Sequence, residues 1–174
     1  MRTALDSILD GHEPYPAVVV DRLGDLVAGN RAFAALVCGS APVMLEPPVF
    51  VARVLLHPDG LGSRIRNFNE WAFHVVDAFG RQLVRYPDDA LPARDTEIAA
   101  LAGDRPVTPV DHLGFAVPLG LDSPDAVLRL MTTLTSFSTA IDVTLAELRL
   151  EAFLPADAAT ALALARLAEP GERG

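Results

Sequence analysis

The sequence predicts an α+β domain with one antiparallel five-stranded sheet, a helical insert between strands 2 and 3, and a C-terminal helix. Two short strand patterns stand near the start of the chain, helical patterns occupy the middle, and period-two patterns return after Gly114. Strands, then helices, then strands again are typical of a sheet that has helices on one face.

The first elements are two short strands and a helix. Residues Ala17 to Val20 form an apolar run with three β-branched side chains, which is typical of a buried strand. Turn chemistry at Gly24-Asp25 then separates this strand from Leu26-Val27. Asn30 stands where a helix N-cap belongs, so we expect a helix over 31–37.

The middle of the chain predicts three helices. A short one covers 49–57, a long one runs from Ser63 as N-cap to about residue 86, before Pro87, and a third covers 94–102 before Gly103. The long helix is assigned from apolar residues at three- and four-residue steps. These are Ile65, Phe68, Ala72, Val75, Val76, Phe79 and Leu83.

The last third predicts three strands, over 115–121, 127–137 and 145–154. The third of these alternates strictly: Ala146, Leu148, Leu150, Ala152 and Leu154 share one face, while Glu147, Arg149 and Glu151 share the other. A final helix over 158–167 is expected to be capped by Asp157.

Composition indicates one folded domain over 1–174, with a lead-in segment at 1–12 and a disordered tail at 168–174. The 51% hydrophobic and 21% charged residues suit a buried core. A net charge of −9 argues against nucleic-acid binding by this domain. The single cysteine, Cys38, excludes an internal disulfide. Because neither a signal peptide nor a membrane-spanning stretch is recognised, we expect a cytoplasmic protein.

Two stretches contain candidate functional residues. On the long helix, Glu70, His74 and Asp77 lie at i, i+4 and i+7, where they form either a solvated, locally hydrogen-bonded face or a polar group that reaches a pocket. Trp71 beside them suits core packing, pocket lining or both. The hydroxyl-rich run from Met131 to Thr139 suits a plain strand, but it also offers the apolar walls and polar anchors of a pocket.

Several separated blocks of the sequence resemble the ligand-binding domain of MmyB-like bacterial transcription regulators. The blocks are GHEPYPA at 11–17, VDR at 20–22, AGNRA at 28–32, LLHPDGL at 55–61, Asn67 with Glu70, Trp71 and His74, DVTLAEL at 142–148 and EAFLPAD at 151–157. The resemblance implies a PAS-like fold, a helix-turn-helix DNA-binding domain outside this chain, a homodimer and a fatty-acid-like ligand.

The first functional hypothesis is therefore a non-enzymatic sensor that binds a small apolar or amphipathic molecule between sheet and helices and needs no cofactor. The expected ligand-binding residues are Val18, Val20, Phe33, Trp71, His74, Val75, Thr133, Leu134 and Phe137. Two alternatives stay open. One is a small enzyme that uses His74 with Glu70 or Asp77, and the other is a pure dimerisation module with a filled core.

Overall fold

The computed structural model describes residues 2–85, 88–104, 117–137 and 148–168. Within these ranges the chain forms six α-helices and five strands. The helices are α1 (Arg2–Asp10), α2 (Arg31–Val37), α3 (Val51–Leu56), α4 (Phe68–Arg85), α5 (Leu91–Ala102) and α6 (Ala158–Ala168). The strands are β1 (Ala17–Val20), β2 (Leu26–Gly29), β3 (Leu119–Asp122), β4 (Val127–Ser136) and β5 (Arg149–Pro155).

The five strands form one antiparallel sheet in the order β2-β1-β5-β4-β3. The last strand in the chain, β5, lies at the centre and pairs with both β1 and β4. The predicted α+β fold class is therefore confirmed, with the helical insert between β2 and β3 and a helix after β5.

The two faces of the sheet bury different sets of side chains, because successive strand residues point to opposite sides. On the inner face, Val18, Val20 and Phe153 join a core that includes buried residues of α2 to α6. On the outer face, Ala17, Val19, Leu148, Leu150 and Ala152 pack with Leu5 and Leu9 of α1. The names inner face and outer face are used below in this sense.

Helix α4 crosses the inner face from one edge of the sheet towards the other. Just before it, the Asn67 side chain donates to the Pro118 carbonyl (2.7 Å) and accepts from the Gly120 backbone N–H (2.9 Å), both beside β3. Further along, Phe79 lies beside the β1–β2 turn, where a Cβ on Gly24 would come within 3.6 Å of its ring.

Ion pairs join the β1–β2 turn to α5 and to the segment before α5. Arg94 of α5 makes a bidentate contact with the Asp25 carboxylate (2.7 and 2.8 Å), and its guanidinium lies 4.5 Å from the centroid of the Phe50 ring. Arg22 pairs with Asp88 at 3.1 Å. These contacts tie α5 and the segment before it to the turn.

The start of the long helix differs from the prediction. Ser63 is not its N-cap, because it lies in a 3-10 turn and its hydroxyl donates to the Pro58 carbonyl (3.0 Å). Ile65 forms an isolated bridge with Leu121, so the chain is extended there and the helix begins only at Phe68. Helical periodicity alone could not reveal this tertiary pairing.

The other boundaries shift less, and one helix was not predicted. The lead-in segment contains α1, and α5 begins at Leu91, three residues before the predicted start. The Asn30 and Asp157 caps are confirmed, since they accept from the backbone N–H groups of Phe33 (3.0 Å) and Thr160 (2.7 Å). Parts of the predicted elements lie outside the described residues. These parts are residue 86, residues 115–116, residues 138–147 and the tail from residue 169.

Candidate ligand-binding site

The inner face of β4 and β5 carries polar side chains underneath the helices. Register pairs Leu134 with Glu151 and Thr132 with Phe153, while Glu151 also stands opposite the fully buried Val18 of β1. Opposed residues share a face, so Glu151 and its i−2 neighbour Arg149 belong to the inner face. The predicted alternation of β5 is confirmed over its described residues, and its charged side faces the main core.

Glu151 is deeply placed but retains partial solvent access. Burial raises the pKa of its carboxyl group, an effect that the positive charge of Arg149 partly offsets. Within the described part of the chain, no hydrogen bond to this carboxylate is found. Arg149 itself donates from Nη2 to the Asp21 carbonyl (3.2 Å), towards the β1–β2 turn. A carboxyl group with partial solvent access and no hydrogen bond among the described residues is typical of a pocket wall.

The charge of Glu151 should make the unliganded protein less stable at neutral pH than its amide variant. Folding raises the pKa of Glu151, so proton binding stabilises the folded state. This stabilisation is complete below the pKa that Glu151 has in the unfolded chain, and it is lost as the pH rises through the pKa of the folded state. We expect Glu151→Gln to raise the melting temperature at about pH 7 and to change it little at about pH 4. Calorimetry at both pH values checks this, and an equal shift at both would contradict it.

Of the buried side-chain polar atoms that lack a hydrogen-bond partner among the described residues, two belong to β4 and α4. They are Oγ1 of Thr132, on the inner face of β4, and Nε1 of Trp71, on α4. Trp71 is only 1% exposed. Since buried donors and acceptors are normally paired, such atoms indicate where a bound molecule or water completes the structure.

Apolar side chains from the helices pack in the core on the same face as Glu151 and Thr132, which together are called the polar strip below. Phe33 of α2 stacks on Phe153 with 6.4 Å between ring centroids. Val75 and Val76 of α4 are partly buried and pack against the same core as Trp71. Apolar walls with a few polar groups are the usual composition of a small-molecule site.

The strip is open to solvent at the Leu134 end. Leu134 lies on the inner face yet is 61% exposed. The described part of β3 pairs only with the first half of β4, so Leu134 has no strand partner on that side among the described residues. A small molecule could therefore reach Glu151 and Thr132 past Leu134.

The structure brings most of the predicted ligand-binding residues together. Val18, Val20, Phe33 and Trp71 belong to one buried cluster, Val75 packs against it, and His74 is partly buried on α4.

Two of the predicted residues lie elsewhere. Thr133 pairs with Ala152, and Phe137 packs against the α1 cluster, so both are on the outer face. A cavity beneath the helices would not include either of them, because a strand alternates its faces at every residue.

Glu151 and Thr132 were missed by the sequence analysis. Their signal was present in the alternation of β5 and in the hydroxyls of β4. Alternation alone, however, does not say which face the helices cover.

The residues of the alternative catalytic set all belong to α4. Glu70 and His74 are partly buried and Asp77 is exposed, all on one helix. No group of three His, Cys, Asp or Glu side chains is close enough to hold a metal ion within the described residues.

The 11–17 block and Asn30 have a scaffolding role. Oδ1 of Asn30 accepts from the backbone N–H of Phe33 and of Ala17 (both 3.0 Å), while Nδ2 donates to the Tyr15 carbonyl (2.8 Å). Glu13 Oε1 accepts from the Arg31 N–H at 2.8 Å, at the start of α2. These bonds join the 11–17 block, β1 and α2.

The chain also matches a known protein family. The family model for the ligand-binding domain of MmyB-like transcription regulators matches residues 1–167. The chain belongs to this family. The MmyB-like domain is a regulatory sensing domain, which implies a small-molecule ligand and a DNA-binding partner domain.

No curated protein matches the chain. None of the described helices is both long and apolar enough to cross a bilayer.

Proposed function

We propose that this MmyB-like domain is a non-enzymatic sensor, which binds a small apolar or amphipathic molecule between the inner face of β4–β5 and helix α4. Binding would favour one packing of sheet and helices and thereby change the activity of an attached DNA-binding domain. Such a domain would act in the cytoplasm without a cofactor. The antiparallel sheet with helices α2 to α6 on its inner face also supports the PAS-like description.

The observation that carries this proposal is the polar strip at Glu151 and Thr132, which lies beneath an apolar roof and opens at Leu134. A purely structural core would place apolar side chains there, because buried polar groups without partners cost stability. Retaining them is understandable where a ligand supplies the missing contacts.

A series of contacts from the proposed pocket to α1, at the N-terminal side of the domain, supports the regulatory part of the proposal. Phe33 contacts the sheet in the roof of the proposed pocket, and its helix α2 is capped by Asn30. Nδ2 of Asn30 also lies 3.4 Å from the Leu9 carbonyl at the end of α1. A shift of α2 on ligand binding would therefore reach α1. The resemblance implies a helix-turn-helix domain on this N-terminal side.

The finer parts of the proposal rest on the resemblance. They are a fatty-acid-like ligand and a homodimer. Sedimentation of the purified domain with and without ligand tests whether it is a homodimer.

Native mass spectrometry of the purified domain tests the sensor proposal. We expect an adduct of small-molecule mass that organic extraction removes and that Leu134→Trp strongly reduces, because the larger side chain closes the mouth. Leu162→Trp is the matched control, since Leu162 of α6 is also 61% exposed. That variant should keep the adduct.

Other outcomes would contradict the sensor. Equal adducts in both variants would place the ligand elsewhere. Absence of any adduct would favour the dimerisation module. A stoichiometric metal that is lost on substitution of Glu70 or His74, for example in His74→Ala, would favour the enzyme.

A further inference from the structure

We propose that Glu13 couples the proposed pocket to helix α1, so that a ligand bound on the inner face of the sheet is sensed at α1 on the outer face. The inference rests on the sensor proposed above and specifies how that sensor is regulated. Glu13 lies just after α1, and its carboxylate caps the start of α2. Helix α2 in turn contributes Phe33 to the core on the side of the proposed pocket.

The sheet separates α1 from a ligand in this pocket. Leu5 and Leu9 of α1 are buried against the outer face, whereas Phe33 of α2 is buried on the inner face. An effect of the ligand on α1 must therefore pass through the strands or around the end of the sheet. The segments before β1 and after β2 meet at one such end, where the Asn30 N–H donates to the Ala17 carbonyl (3.0 Å).

Glu13 is fixed to the last turn of α1 by a series of hydrogen bonds. Its own backbone N–H donates to the Asp10 carbonyl (3.1 Å). The backbone N–H of His12 donates to the Leu9 carbonyl (3.1 Å), and Nδ1 of its ring donates to the Ile8 carbonyl (2.8 Å). Glu13 and the end of α1 should therefore move together.

The Glu13 side chain joins this unit to the start of α2. Its Oε1 accepts from the backbone N–H groups of Arg31 (2.8 Å) and Ala32 (3.3 Å), which have no carbonyl partner within the helix. A negative charge is also favoured at this end of a helix. The Arg31 guanidinium lies 3.9 Å from Oε1 but is mostly exposed, so this ion pair adds little. The link therefore depends on the two bonds to the α2 backbone.

Glu13 is better placed than Asn30 to act as a specific link. Nδ2 of Asn30 lies 3.4 Å from the Leu9 carbonyl, which is long for a hydrogen bond, and its shorter bonds hold β1 and α2 in place. The other Glu13 oxygen, Oε2, is buried without a hydrogen-bond partner among the described residues. Substitution of Glu13 therefore removes the cap and leaves the Asn30 network intact.

Hydrogen exchange with and without decanoate tests the coupling. In the unsubstituted domain we expect saturating decanoate to slow exchange of the α1 amides by about tenfold. Glu13→Ala should lose this effect on α1, while the α2 amides remain slowed. Decanoate affinity, measured by the fluorescence of Trp71, should stay within about threefold, because α1 stays docked most of the time in both proteins.

Three further variants separate coupling from a structural role. Glu13→Gln should restore most of the α1 response, because the amide oxygen still accepts from both N–H groups. Glu13→Asp keeps the charge on a shorter side chain, so the α1 response should fall by at least about threefold. This variant decides the question if Glu13→Ala does not fold. Glu46→Ala is the control, since Glu46 is exposed, and it should leave the α1 response unchanged.

Two sets of results would overturn the inference, and they differ in what they mean for the sensor. If decanoate binds but leaves α1 unchanged, or slows α1 equally in Glu13→Ala and Glu13→Asp, Glu13 is not the link and the sensor stands. The same holds if Glu13→Ala folds normally but loses decanoate binding, because Glu13 would then act on the pocket itself. If decanoate does not bind the unsubstituted domain, the proposed pocket fails and this inference fails with it.

Discussion

Replacing Asn30 with alanine is expected to lower the free energy of unfolding by about 3 kcal/mol or more. The side chain satisfies the backbone N–H groups of Ala17 and Phe33 and the Tyr15 carbonyl in a buried setting. Alanine would leave all three groups without these bonds and would remove the N-cap of α2. Urea unfolding followed by circular dichroism measures the loss.

Asn30→Asp separates the two halves of this network. Aspartate still accepts from the two N–H groups but cannot donate to the Tyr15 carbonyl, so we expect an intermediate loss. Asn69→Ala is the control, because Asn69 is exposed on α4, and its effect should stay within about 0.5 kcal/mol. A loss of less than about 1 kcal/mol for Asn30→Ala would refute the network as a main support of the fold.

Phe153→Ala should cost about 3–5 kcal/mol of unfolding free energy. The ring is 0% exposed, stands on the central strand and stacks on Phe33. Truncation would remove this contact and leave a cavity between β5 and α2. Differential scanning calorimetry and urea unfolding provide the measurement.

Comparison with Phe137→Ala tests the assignment of the two faces. Phe137 is only partly buried and packs at the α1 cluster, so its truncation should cost clearly less than that of Phe153. Equal losses for the two variants would contradict the placement of the main core on the inner face.

The sequence predicted those parts of the fold that local chemistry controls. The β-branched run at Ala17–Val20, the cap at Asn30 and the stop at Gly103 are decided within a few residues, and all three are confirmed. The start of α4 could not be predicted in this way, because Ile65 is held extended by Leu121, more than fifty residues away.

The candidate site was predicted only in part for the same reason. Hydrophobicity and position identified Val18, Phe33 and Trp71, which are buried in one cluster. In the sequence pattern Glu151 belongs to the charged face of its strand, and that face lies on the side of the main core. A charged alternation usually indicates a solvated face, and only the position of α1 on the outer face shows that this strand is different.

The central claim is that a small molecule binds between α4 and the inner face of β4–β5, and a short-range quencher of Trp71 tests it most directly. The probe is a terminally brominated undecanol, with the same alcohol lacking bromine as its control and equilibrium dialysis as an independent measure of binding. We expect saturable binding of one molecule per chain, with Trp71 quenched by the brominated alcohol alone. Saturable binding in dialysis without quenching of Trp71 would place the ligand elsewhere and contradict this account of the site.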